Sequence, residues 1–102
     1  MPGVLEEKGM DPIALTLITR VDCHLCDEMA AVIALVLREV PAALEVRDVD
    51  AEPGLRARYG DEVPVLLING RKAFKYRVGA WELRRRLREE ARRAEGRRWW
   101  PF

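Results

Sequence analysis

Apolar and polar residues change their spacing several times along this chain, and each change marks an element. Ile13 to Thr19 is a short, mostly apolar run, suited to a strand covered on both faces. Arg20 to Asp22 then forms a loop. Beyond it Leu25, Met29, Val32, Ile33, Val36, Leu37 and Val40 recur at offsets of three and four, the apolar stripe of a helix. Asp22 is the expected N-cap, Asp27 and Glu28 fall in the first turn where acids favour the positive helix end, and Pro41 ends the helix.

Leu44 to Val49 alternates, as a half-buried strand does. Between Asp50 and Tyr59 the pattern fits a short helix, stopped by Gly60. Val63 to Ile68 reads as a buried strand with Pro64 at its start. Asn69-Gly70 is the strongest short hairpin signal, so Lys72 to Arg77 should return antiparallel. Gly79 to Glu95 closes the pattern as a helix, with Ala80, Leu83, Leu87, Ala91 and Ala94 on its inner face. Its outer face offers Glu82–Arg86 and Glu89–Arg93 pairs, four apart with the acid first. Gly96 is the expected stop.

The order is strand, helix, strand, helix, strand, strand, helix. A helical crossover makes the first two strands parallel, and the Asn-Gly turn makes the last two antiparallel. The predicted fold class is α/β, a four-stranded mixed sheet flanked by helices, which is the minimal thioredoxin-type arrangement. Residues 1–12, with Pro2, Gly3 and unpatterned charge, read as a flexible tail, and Met10 is a second candidate start. Residues 13–96 form the domain and residues 97–102 an Arg/Trp tail.

Composition narrows the class. With 102 residues, 49% hydrophobic and 34% charged, the chain is a single globular domain. No apolar run approaches the roughly 18 residues of a membrane span, and the N-terminal residues lack the pattern of a secretory signal. A cytoplasmic location is therefore expected, where a dithiol is more often catalytic or metal-binding than a lasting structural disulfide. The net charge of +1 is split, −6 over residues 1–50 and +7 over residues 51–102, which can orient a partner before contact. A solvated Arg-rich helix face explains the same asymmetry more simply.

The candidate chemistry lies at the first strand-to-helix junction. Val21-Asp22-Cys23-His24-Leu25-Cys26-Asp27 holds the only two cysteines and the only histidine. Only a thiolate attacks a disulfide, and an unperturbed thiol near pKa 8.5 is about 3% ionised at pH 7. Cys23 at the helix mouth meets free N–H groups and the positive helix end, while Asp22, Asp27 and Glu28 oppose its ionisation. A modestly lowered pKa follows, with Cys23 as nucleophile and Cys26, one turn on, as resolving thiol. His24 is expected to face solvent and act weakly on the thiolate. Two inert core cysteines are the plain alternative. No resident metal is expected, because two Cys and an adjacent His make a poor tetrahedral set.

The stretch from Thr16 through Cys26, with Val63-Pro64 ahead of an Ile-Asn-Gly turn, resembles the small bacterial glutaredoxin-like proteins of the thioredoxin superfamily over roughly residues 13–90. That resemblance implies a thiol–disulfide oxidoreductase with a cis bond at Val63-Pro64, the proline facing the dithiol and the adjoining backbone docking substrate. It implies Arg20 as an anchor for a glutathione carboxylate. It also implies that Gly79 and Glu82, in Val78-Gly79-Ala80-Trp81-Glu82, take the place of a Gly-Gly-x-x-Asp segment that holds the γ-glutamyl end. Here Val replaces the first Gly and Glu the Asp, and no Trp precedes Cys23.

The expected substrates are protein or glutathione mixed disulfides. Glutathione is the candidate co-substrate, with glutathione or thioredoxin reductase as electron source and no tightly bound cofactor. A monomer without membrane or nucleic-acid partners is expected, the Arg/Trp tail packing back onto the sheet or onto a neighbouring subunit rather than touching nucleic acid or a membrane surface. Two other readings stay open: a redox-inactive or regulatory binding module, and metal or iron–sulfur handling through paired chains.

Overall fold

The computed structural model describes residues 13–99, and side-chain environments to residue 95. The N-terminal tail of residues 1–12 and the end of the Arg/Trp tail fall outside them. Along the described chain β1 (Ala14–Thr19), α1 (His24–Leu37), β2 (Ala43–Asp48), α2 (Pro53–Tyr59), β3 (Val65–Ile68), β4 (Arg71–Lys75) and α3 (Ala80–Trp99) follow one another. The element order is the one the periodicity predicts.

Four strands form one sheet in the order β2-β1-β3-β4. The α1 crossover makes β1 and β2 parallel, Leu15 beside Leu44 and Leu17 beside Val46. β3 returns antiparallel to β1, with Ile18 beside Val65, and pairs antiparallel with β4 across a bulge at Leu66/Leu67. Asn69 and Gly70 close that hairpin at φ 50° and 84°. Both angles are positive, as a type I′ turn requires, and this is where Asn and Gly are least strained. Asn69 adds a lock, its Oδ1 accepting from the Ala14 N–H at 3.0 Å.

Side chains alternate across the sheet and create two cores. Leu15, Leu17, Leu66 and Ile68 face one way and meet Met29, Ile33 and Val36 of α1 and Leu83 and Leu87 of α3. Ile18 and Val65 face the other way with Val49 and Tyr59 beneath α2. Each fully buried aliphatic side chain contributes roughly 1.5–3 kcal/mol, so the larger cluster holds α1 and α3 against the sheet. Arg84 Nη2 also donates to Glu39 Oε2 at 3.1 Å, joining α3 to the end of α1.

Several boundaries differ from expectation. α1 ends at Leu37, and a tight turn with Val40 N–H bonded to Val36 O carries Val40 into the core before Pro41. α3 continues through Gly96, since glycine costs a helix only about 1 kcal/mol where proline costs about 3. Ala91 is exposed, so the inner face of α3 narrows beyond Leu87. The two anticipated surface pairs are replaced. Arg86 and Arg93 both reach Glu90, and Glu82 turns back to the helix start. β2 is not half-buried: it lies at the sheet edge, with Leu44 and Val46 exposed. Gly60 does end α2 as its C-cap, at a position where a Cβ would stand 2.6 Å from Arg56 O.

Candidate functional site

The site forms where β1 passes into α1. Asp22 adopts φ 59°, a left-handed turn, and so does not cap the helix as expected. Cys23 caps it instead. Its backbone is extended, φ −111° and ψ 110°, and its Sγ accepts the Cys26 N–H at 3.1 Å. The Asp27 N–H closes the first helical bond on Cys23 O at 3.1 Å. A sulfur thus takes the place normally filled by a Ser, Thr or Asp oxygen.

Cys23 and Cys26 are joined as a disulfide with their Cα atoms 5.1 Å apart. Their environments differ. Cys23 is partly exposed, whereas Cys26 is 2% exposed, on the buried side of the first turn of α1. A partner can approach only the Cys23 sulfur directly. His24 points to solvent, its side chain 86% exposed, with Nε2 2.9 Å from Glu28 Oε2. Asp27 is the acid of the first turn, and Glu28 lies just beyond it.

β3 brings the second half of the site. The Val63-Pro64 bond is cis, as the resemblance implies. Pro64 immediately precedes Val65, the partner of Ile18, so it lies beside the end of β1 from which the dithiol loop departs. Pro64 O accepts from the Tyr76 N–H at 2.8 Å, and the Tyr76 hydroxyl donates to Asp61 O at 3.3 Å. Tyr76 is held at φ 69°, uncommon for a bulky residue. Nothing in the sequence distinguishes this Tyr, and only the fold places it against Pro64.

Arg20, Glu62 and Glu82 are already engaged within the chain. Arg20 donates from Nε to Asp50 Oδ2 at 2.8 Å and from Nη2 to Oδ1 at 3.2 Å, a bidentate fork. Its hydrogen bond holds the Asp50 carboxyl below the usual aspartate range, partial burial opposes the shift, and Arg56 adds to it. Asp50 is a residue that sequence reasoning missed, although parallel strands ending together bring the turn after each to one edge. Glu62, directly before Val63, accepts from Lys72 Nζ at 2.8 Å, which lowers its pKa. At the other loop the Gly79 N–H donates to Glu82 Oε1 at 3.1 Å, a capping-box contact that starts α3. Glu82 thus takes the Gly79 N–H within its own chain, in the segment that the resemblance assigns to the γ-glutamyl end. The structure brings Cys23, Cys26, Val63 and Pro64 to one end of the two central strands, β1 and β3, with Arg20 just beyond β1.

The model of the glutaredoxin-like domain (DUF836) matches residues 14–88. The chain belongs to this family. An uncharacterized protein of Mycobacterium tuberculosis is 36% identical over 73 residues, 67% of this chain and 75% of that protein. Among solved structures, a protein from X. campestris is 34% identical with a TM-score of 0.63, covering 74% of this chain and 96% of that one. A protein from Nitrosomonas europaea is 29% identical with a TM-score of 0.64, covering 72% and 88%. A Halobacterium salinarum thioredoxin, 22% identical with a TM-score of 0.61 and covering 79% and 76%, shares the fold. This glutaredoxin-like chain thus carries its Cys-x-x-Cys pair, set for disulfide formation, on a thioredoxin fold, which supports redox-type chemistry.

Proposed function

We propose that this protein is a thiol–disulfide oxidoreductase that mainly reduces protein or glutathione mixed disulfides in the cytoplasm. The observation that carries the reading is the asymmetry of the dithiol: Cys23 is partly exposed at the helix N-cap and accepts an N–H, and Cys26 is buried one turn away. Reduced Cys23 ionises, its thiolate favoured by the Cys26 N–H and the positive helix end. It attacks one sulfur of the substrate disulfide, forming a mixed disulfide and expelling the other sulfur as a thiolate, which takes up a proton. Cys26 loses its proton and attacks the Cys23 sulfur, releasing the second substrate thiol and leaving the Cys23–Cys26 disulfide. Two electrons have passed to the substrate, and an external thiol reductant restores the dithiol.

Val63 and Pro64 form the docking edge for the substrate chain. Arg20 is the anchor for a glutathione carboxylate, which must compete with Asp50 for the guanidinium. The Gly79–Glu82 contact leaves that loop a poor glutathione clamp, which favours protein disulfides over glutathione as substrates. His24 and Asp22 act weakly on the thiolate from solvent.

The test is reduction of a glutathionylated peptide and of a protein disulfide, with glutathione or thioredoxin reductase with NADPH as the only electron source. Turnover with at least one donor is expected. A protein that is folded and fully reduced but turns over neither substrate with either donor contradicts the reading and favours a regulatory binding module.

A further inference from the structure

Among the described residues the sheet ends at β2, and no strand covers its outer side. Parallel pairing determines which backbone groups of β2 are used. The N–H groups of Ala43 and Val49 go to the carbonyls of Ile13 and Thr19. Bonded residues alternate along such a ladder. Glu45 and Arg47 therefore turn their backbone toward β1, and Leu44, Val46 and Asp48 turn N–H and C=O outward. Leu44 and Val46 stand beside Leu15 and Leu17 in register, on the face covered by α1, yet they are 40% and 58% exposed. Such an edge is normally blunted by charged side chains, Lys above all, by Pro or by a bulge. Between Ala43 and Asp48 there is no Lys or Pro, the charges are the mixed-sign set Glu45, Arg47 and Asp48, and the pairing with β1 runs without a bulge.

We propose that a second copy of this chain pairs with this edge, β2 against β2, antiparallel about a twofold axis through Val46. The charge pattern selects both occupant and register. Residues directly opposite one another in an antiparallel pair share a face. With the axis at Val46, Val46 meets Val46 of the second copy, and Leu44 exchanges backbone hydrogen bonds with the second copy's Asp48. Glu45 then lies opposite Arg47 of the second copy on both sides of the axis. Moving the axis to Glu45 or Asp48 opposes two carboxylates, and moving it to Arg47 opposes two guanidinium groups. An axis at Leu44 leaves Glu45 opposite Ala43. Arg47 of each chain is already forked onto Glu52, its Nη2 2.7 Å from Glu52 Oε1, and lies 4.0 Å from Glu45 of its own chain, so the second copy's Glu45 shares that guanidinium with Glu52.

Analytical ultracentrifugation of the full chain tests the proposal, and a concentration-dependent monomer–dimer equilibrium is expected. Arg47→Glu should raise the dissociation constant about tenfold or more, and adding Glu45→Arg should bring it back to within about threefold of the starting value. In a Cys23→Ser/Cys26→Ser background, Val46→Cys should form an interchain disulfide under oxidant, because a hydrogen-bonded antiparallel pair holds Cα atoms about 5.5 Å apart. Glu45→Cys should cross-link about tenfold more slowly, since the two introduced thiols would lie diagonally apart. Circular dichroism of each variant separates loss of dimer from loss of fold. A monomer at all concentrations, which the sequence reading anticipated, overturns the proposal. So does a dimer that appears only after removal of residues 1–12, equal cross-linking at both positions, or a folded double charge swap that does not restore the dimer.

Discussion

The backbone N–H of Cys26 donates to Sγ of Cys23 across 3.1 Å, so one thiol of the pair caps the helix that buries the other. Structure and chemistry share that contact. The orphan N–H that the Cys23 sulfur satisfies at the helix start is the same group that favours a thiolate once the disulfide is reduced.

This sharing predicts a difference between two substitutions that both remove the disulfide. Cys23→Ser keeps an N-capping side chain and Cys23→Ala does not. The Ala variant should be less stable than the Ser variant by about 1 kcal/mol. Urea midpoints of the two proteins check this, and equal midpoints would show that residue 23 contributes nothing as a cap.

The Arg20–Asp50 fork predicts an acid-dependent contribution to stability. Arg20 holds the folded carboxyl of Asp50 below its ordinary value. A depressed folded pKa stabilises the protein above the unfolded pKa, near 4, and that stabilisation is lost as pH falls through the folded value. Asp50→Asn should therefore lower the melting temperature at pH 7, with the difference from the parent shrinking below about pH 3. A difference unchanged between pH 7 and pH 2.5 would exclude the fork as its source.

Tyr76 sits at φ 69° with its N–H bound to Pro64 O and its hydroxyl to Asp61 O. Removing the side chain loses the hydroxyl contact in either small variant, but only Gly adopts this backbone freely. Tyr76→Gly should thus exceed Tyr76→Ala in stability by about 1 kcal/mol. Equal unfolding free energies for the two would mean that the backbone at position 76 is not under constraint.

Much of this was legible in the sequence because it depends on local pattern. The switch from an apolar run to a stripe at offsets of three and four marked the β1–α1 junction, Asn69-Gly70 marked the hairpin, and Val63-Pro64 marked the cis bond through family resemblance. What the pattern did not carry depends on neighbours distant in sequence. Asp22 resembles an N-cap by residue type, yet the turn out of β1 needs a left-handed residue there and passes the cap to Cys23. The alternation of Leu44 and Val46 reads as a half-buried strand, but their exposure depends on β2 lying at the edge, which strand order alone decides. Arg20 was readable as a free anchor only because its partner, Asp50, lies beyond another helix and strand.

The most direct measurement of the central claim is trapping of the mixed disulfide, read by intact mass after a glutathionylated peptide or an oxidised protein is mixed with each reduced single-cysteine variant. Cys26→Ser should accumulate an adduct through Cys23 that a thiol reductant releases, and Cys23→Ser should accumulate little or none, because Cys26 is buried. Equal adduct formation by both variants, or by neither while both are folded and reduced, would contradict the assignment of Cys23 as the attacking thiol.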